Sequence, residues 1–139
     1  GLPGSFHLPY EIVARAIEKY PGRFYGLAGL DPFEGMHGVR ALEDAVKNMG
    51  FIGAHLYPHW FDLPPDHAKY YPFYAKCCEL GVPIQMQVGQ SMIYAPDFPC
   101  RSVGRPITLD AVACDFQELK LIGIHVGIHK GRVVLAVSP

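Results

Sequence analysis

Apolar and polar positions along this chain change period several times, and the changes mark out alternating helices and strands. Over residues 10–20, Ile12, Val13, Ala16, Ile17 and Tyr20 recur at spacings of one, three and four, which lays an apolar stripe along a helix that Pro21 and Gly22 then stop. The mostly apolar run 24–30 follows and ends at Asp31 and Pro32, the pattern of a buried strand with a polar group at its C-terminal end. Helical spacing returns at Val39, Leu42, Ala45, Val46 and Met49, with Gly50 where a C-terminal cap belongs. The sequence FIGAHLYP then reads as a second strand closed by Pro58. A third unit repeats the order with a Pro-rich loop, a helix over about 70–80 capped by Gly81, and the strand PIQMQVG. The fourth has a long loop through Pro99, Cys100 and Pro106, a helix over about 109–116, and the strand LKLIGIHVG.

Four helix–strand pairs in strict alternation predict a parallel sheet, because parallel neighbours need a crossover and a helix usually supplies it. With strand ends at Asp31, Pro58, Gly89 and Gly127 the intervals are 27, 31 and 38 residues. A (β/α) barrel of about 250 residues averages roughly 31 per unit, so the expected fold class is α/β, half of such a barrel with helices outside; an open doubly wound sheet would alternate similarly.

Composition narrows the function classes. A chain of 139 residues that is 50% hydrophobic can bury one ordinary core, which predicts one domain. The 12 Lys and Arg against 13 Asp and Glu leave no field to gather phosphates or anionic lipid, so neither nucleic acid nor a membrane is an expected partner. No apolar run approaches the roughly 20 residues of a membrane span and no signal segment opens the chain, which makes the cytoplasm the expected location. Cys77 and Cys78 are adjacent in a helical pattern while Cys100 and Cys114 lie in unlike contexts, so free, mostly buried thiols are expected rather than a metal knuckle. The chain opens at Gly1 in a Gly-Pro loop without methionine, from which a fragment is expected.

In a barrel the chemistry sits at the C-terminal ends of the strands. The polar residues there are Asp31, then His55 and His59, then Gln87 and Gln90, then His125. His125 ends an apolar strand two residues before Gly127, where an imidazole could hold zinc or another divalent ion or act as a general base; a core histidine bonded to a backbone carbonyl is the competing reading. His55 and His59 are four apart but straddle Pro58, so they are not a helical ligand pair. His55 and Tyr57 point the same way along an extended chain and can line a pocket, with His59 and Trp60 over its mouth, although packing would explain them equally. Gln85 and Gln87 share one face of their strand, and Gln87 can position a ligand. His7, His37 and His67 read as loop or helix-surface residues and His129 lies just past the last strand, all four more often structural than functional. No phosphate loop or nucleophile elbow is present.

The stretches RFYGLAGLDP, GFIGAHLYPHW, YYPFYAKCCELGVPIQMQVGQS and VGRPITLDAVACDFQELKLIGIHVG resemble consecutive pieces of the amidohydrolase-related family, which includes aminocarboxymuconate-semialdehyde decarboxylase and γ-resorcylate decarboxylase. The resemblance runs from about residue 12 to 128 and implies strands three to six of the barrel. It further implies a His-x-His type pair on an early strand, a histidine on each of the fifth and sixth strands, and a late aspartate. The sixth-strand histidine falls on His125, implied as metal ligand or proton-transfer group; the fifth-strand position falls on or near Gln87. Relatives resemble QVGHS where this chain reads QVGQS, so Gln90 stands where a histidine is expected. The early pair and the late aspartate would lie outside this chain. Residues 129–139 diverge, since relatives resemble GIPW followed by a helix where this chain reads GIHKGRVVLAVSP; a barrel portion over 1–128 and a divergent tail are therefore expected, a frameshift or gene boundary being one origin for the change.

Two functions compete. The first is a fragment of a metal-dependent enzyme, zinc or manganese in the complete protein, that hydrolyses or non-oxidatively decarboxylates a small carboxylate, with Asp31, His55, His59, Gln87 and Gln90 toward substrate and His125 in catalysis. The second is a non-catalytic module or small α/β binding domain that lacks a complete metal site and binds no metal by itself. Exposed strand edges would make the chain prone to homo-oligomerise.

Overall fold

The computed structural model describes residues 8–91, 94–95 and 98–125. Helix α1 (Tyr10–Lys19) leads to β1 (Gly26–Gly29), α2 (Met36–Asn48) to β2 (Phe51–Leu56) and α3 (Tyr71–Leu80) to β3 (Ile84–Gln87). A two-residue hairpin of β4 (Tyr94–Ala95) and β5 (Phe98–Pro99) stands in the long loop before α4 (Ile107–Asp115) and β6 (Leu121–Ile124). The main sheet has the order β1-β2-β3-β6, every neighbour parallel.

The register separates the two faces of the sheet. Ala28 pairs with Ala54, Ala54 with Ile84 and Ile84 with Leu121, and this row is buried. It packs with Val39, Leu42 and Ala45 of α2, Phe73, Tyr74 and Cys77 of α3, and Leu109 and Val112 of α4 in one core. Each large apolar side chain removed from water there contributes roughly 1.5–3 kcal/mol. One residue further along, Gly29, His55, Gln85 and Ile122 form the row of the opposite face, where Ile122 is 47% exposed and His55 and Gln85 are half-buried. A sheet with helices on one face and a partly polar, open second face is one wall of a barrel.

Local signals set the element ends. Gly81, at φ 67°, caps α3 by donating its N–H to the Cys77 and Cys78 carbonyls, and Val82 N–H follows onto Cys77. At Gly53 a Cβ would lie 2.7 Å from the Pro83 carbonyl oxygen, which itself accepts from Ala54 N–H. Gly53→Ala must therefore spread β2 from β3, and a loss of about 1–3 kcal/mol is expected in thermal or urea melts; unchanged stability would show that the strands can move apart freely.

The four cysteines are free: Cys77 and Cys100 are buried, Cys78 is half-buried and Cys114 exposed. Burial pushes the Cys77 thiol up to about 12, which makes it an unreactive core group. Among the described residues no helix is long and apolar enough to cross a membrane.

Candidate functional site

Because the four strands are parallel, the groups that follow their last residues meet at one end. Leu30 N–H donates to the His55 carbonyl at 3.0 Å, which brings the Asp31 turn beside the end of β2. An open cavity of about 500 Å³ lies there, beside β1, and its walls include Leu27, Asp31, Glu34, His37, His55, Tyr57, Trp60 and Phe61. Aromatic walls with a few convergent polar groups are the usual composition of a small-molecule site. Tyr10 closes the β1 side; its hydroxyl donates to the Gly29 carbonyl at 2.6 Å, and burial, helped by Glu34, pushes it up to about 12.

His55, on β2, and His125, directly after β6, lie on either side of β3. Burial, and secondarily the neighbouring His125, hold the His55 imidazole below the usual histidine range. His125 directly follows β6, is exposed, and has φ 64°, a left-handed conformation uncommon for a residue other than glycine. Asp31 lines the cavity while its carboxylate accepts from Phe33 N–H at 2.8 Å, capping the turn Pro32–Glu34.

The other candidates sit differently. Gln87 is 5% exposed, and its Oε1 has no hydrogen-bond partner among the described residues. Gln90 is half-buried just past β3. His59, expected over the pocket mouth, is instead 2% exposed inside the turn Pro58–Phe61, where Nδ1 accepts from Val103 N–H at 3.0 Å and Gly104 N–H at 3.3 Å. The reason is local, since the tight turn after Pro58 carries the ring inward beneath residues 100–104 while Trp60 and Phe61 stay on the cavity wall. Tyr57 reaches over with its hydroxyl to the Ser91 carbonyl at 2.8 Å, tying the end of β2 to the loop after β3.

Three residues the sequence does not single out also line the cavity: His37, whose context reads as surface, Tyr10 and Glu34. Their position offered a signal: Glu34 and His37 fall in the first residues after a strand end, where barrel sites are built. His7, His129 and the tail 129–139 lie outside the described residues.

The divalent metal implied by the resemblance needs three or four such donors around it. Among the described residues no three His, Cys, Asp or Glu side chains come together closely enough to hold a metal ion. With glutamine at positions 87 and 90, the described residues do not by themselves fit that ion.

Comparison with known proteins agrees with the fold. The amidohydrolase family model matches residues 7–136, and the chain belongs to that family. The 2-keto-4-carboxy-3-hexenedioate hydratase of Sphingobium sp. is 34% identical over 88 residues, covering 58% of this chain and 26% of that protein. The 5-carboxyvanillate decarboxylase of Novosphingobium aromaticivorans, solved with manganese and 4-hydroxy-3-methoxy-5-nitrobenzoic acid, superposes with a TM-score of 0.66 at 19% identity over 85% of this chain and 38% of its own. A TIM-barrel protein of Bordetella bronchiseptica gives 0.66 at 24% identity over 84% and 40%. The chain thus spans about a quarter of that curated relative and about two fifths of those solved chains, as a partial barrel does.

Proposed function

We propose that this chain forms one wall of the active site of a metal-dependent enzyme that hydrolyses or decarboxylates a small, aromatic-sized carboxylate. The observation that carries the reading is the meeting of Asp31, His55, Tyr57 and Trp60 around one cavity at the strand ends, with His125 directly after β6 at the same end of the sheet. In that reading His125 is the metal ligand or moves a proton at the reacting carbon or oxygen, and His55, kept neutral by burial, offers a hydrogen bond rather than a charge. Asp31, Gln87 and Gln90 orient the substrate and His59 supports it from beneath. The divalent ion, manganese or zinc, needs donors beyond the described residues, and no step is assigned to it. Residues 1–128 are the barrel portion and 129–139 its tail.

Trp60 is the single tryptophan and lies on the cavity wall, which gives a direct test. Titration with a nitro-substituted hydroxybenzoate should quench its fluorescence saturably after correction for absorption, and His55→Ala should weaken the effect several-fold. Quenching without saturation up to millimolar ligand would remove the carboxylate reading for this chain.

A second reading, a non-catalytic binding module, is favoured by the lack of a donor triad among the described residues. Metal analysis of the purified 139-residue chain separates the two. Stoichiometric manganese or zinc bound by it sinks the second reading.

A further inference from the structure

Residues 100–104 are held down on the end of β3 by one imidazole from 44 residues away. His59 accepts two backbone N–H groups at a single nitrogen, so Nδ1 carries no proton, the ring is neutral, and its proton sits on Nε2. Gly104 is pressed between this ring and β3. A Cβ there would stand 2.9 Å from the Gln87 carbonyl oxygen and 2.9 Å from His59 Cε1, and the Gly104 carbonyl accepts from Gly89 N–H at 2.7 Å. Ser91 adds two ties, donating its N–H to Ser102 Oγ at 3.0 Å and its hydroxyl to the Cys100 carbonyl at 2.6 Å.

We propose that His59 is a titratable latch: while neutral it fixes residues 100–104 against the C-terminal end of β3, and protonation at Nδ1 removes the acceptor, strips Gly104 N–H of its partner, leaves Val103 N–H only its bond to the Arg101 carbonyl, and loosens the segment. The proposal does not depend on which reaction the site performs.

The surroundings do little to compensate a charged ring. Tyr57 packs edge-on at 5.4 Å between centroids. Asp62 donates its backbone N–H to the His59 carbonyl, while its carboxylate is exposed and lies 3.5 Å from the exposed Arg101 guanidinium. Cys100 is a buried neutral thiol on the latched segment, and β3 contributes Gln87, which does not ionise. Burial accordingly holds the His59 imidazole below the ordinary histidine range, opposed in part by the Arg101 backbone carbonyl. With the folded value depressed, the stabilisation is complete above the unfolded histidine value of about 6.5 and is lost as pH falls through the folded value.

Amide hydrogen exchange on the whole chain tests this at about pH 7.5 and about pH 4.5, with rates corrected for intrinsic pH dependence. Protection of Val103 and Gly104 should fall by about tenfold or more at the lower pH while Met86 within β3 keeps its own. His59→Asn places an amide oxygen near the Nδ1 position without a titrating group, and the two amides should then keep the same protection at both pH values. Gly104→Ala should lose it at both, because the added methyl group lifts the segment. Protection at Val103 and Gly104 that changes less than twofold in the unaltered chain overturns the latch, as does an equal acid-dependent loss in His59→Asn.

Discussion

His125→Ala, made in a barrel completed with the remaining strands of a full-length relative, is expected to lower kcat by about two orders of magnitude or more, the usual cost of removing a ligand or a proton-transfer group. The position supports that size of effect. His125 directly follows β6, at the same end of the sheet as the cavity and separated from the end of β2 by β3. Its φ of 64° costs a β-carbon-bearing residue conformational energy, and such strain persists where a side chain must be aimed. His125→Gly separates aim from chemistry: the backbone relaxes, so the melting temperature should hold or rise while kcat still collapses. A loss of under threefold in both variants, with unchanged affinity for the carboxylate, would return His125 to a packing role.

The alternation of helices and strands was legible because it rests on local spacing. Gly50 and Gly81 punctuate α2 and α3 where the periodicity ends, and both have positive φ. The reading was less accurate where burial was assumed from composition. The apolar run 24–30 predicted a seven-residue strand, but Phe24 and Tyr25 are exposed and β1 begins at Gly26. The hairpin β4–β5 was read as loop, since two-residue strands carry no period. The places of Asp31, His55 and His125 at or just past strand ends were readable from the same alternation. The setting of His59 was not, because the residues that decide it, Val103 and Gly104, are remote in the sequence and have no side-chain signature for donating N–H groups.

The open face of the sheet leads to the second large effect, self-association of the isolated chain. Among the described residues the helices of the core pack on the reverse side of the row Gly29–His55–Gln85–Ile122, and Ile122 leaves 47% of its surface in water. Exposed apolar strands next to an unpaired edge are templates for another chain. The two edges are not equivalent. Tyr10 occupies the Gly29 carbonyl on β1, whereas the described residues set no strand beside β6, so association should begin at β6. Light scattering should therefore report a species larger than a monomer, growing with concentration. Ile122→Lys should shift it toward monomer, because a charge on the open face opposes docking while the helix-covered core is untouched. Deleting residues 133–139 tests whether the apolar stretch VVLAV shields an edge, in which case association should increase. A sharp cooperative melt from a monomer that ignores both changes would mean that the four strands need no opposite wall, and the partial-barrel account of this face would fail with it.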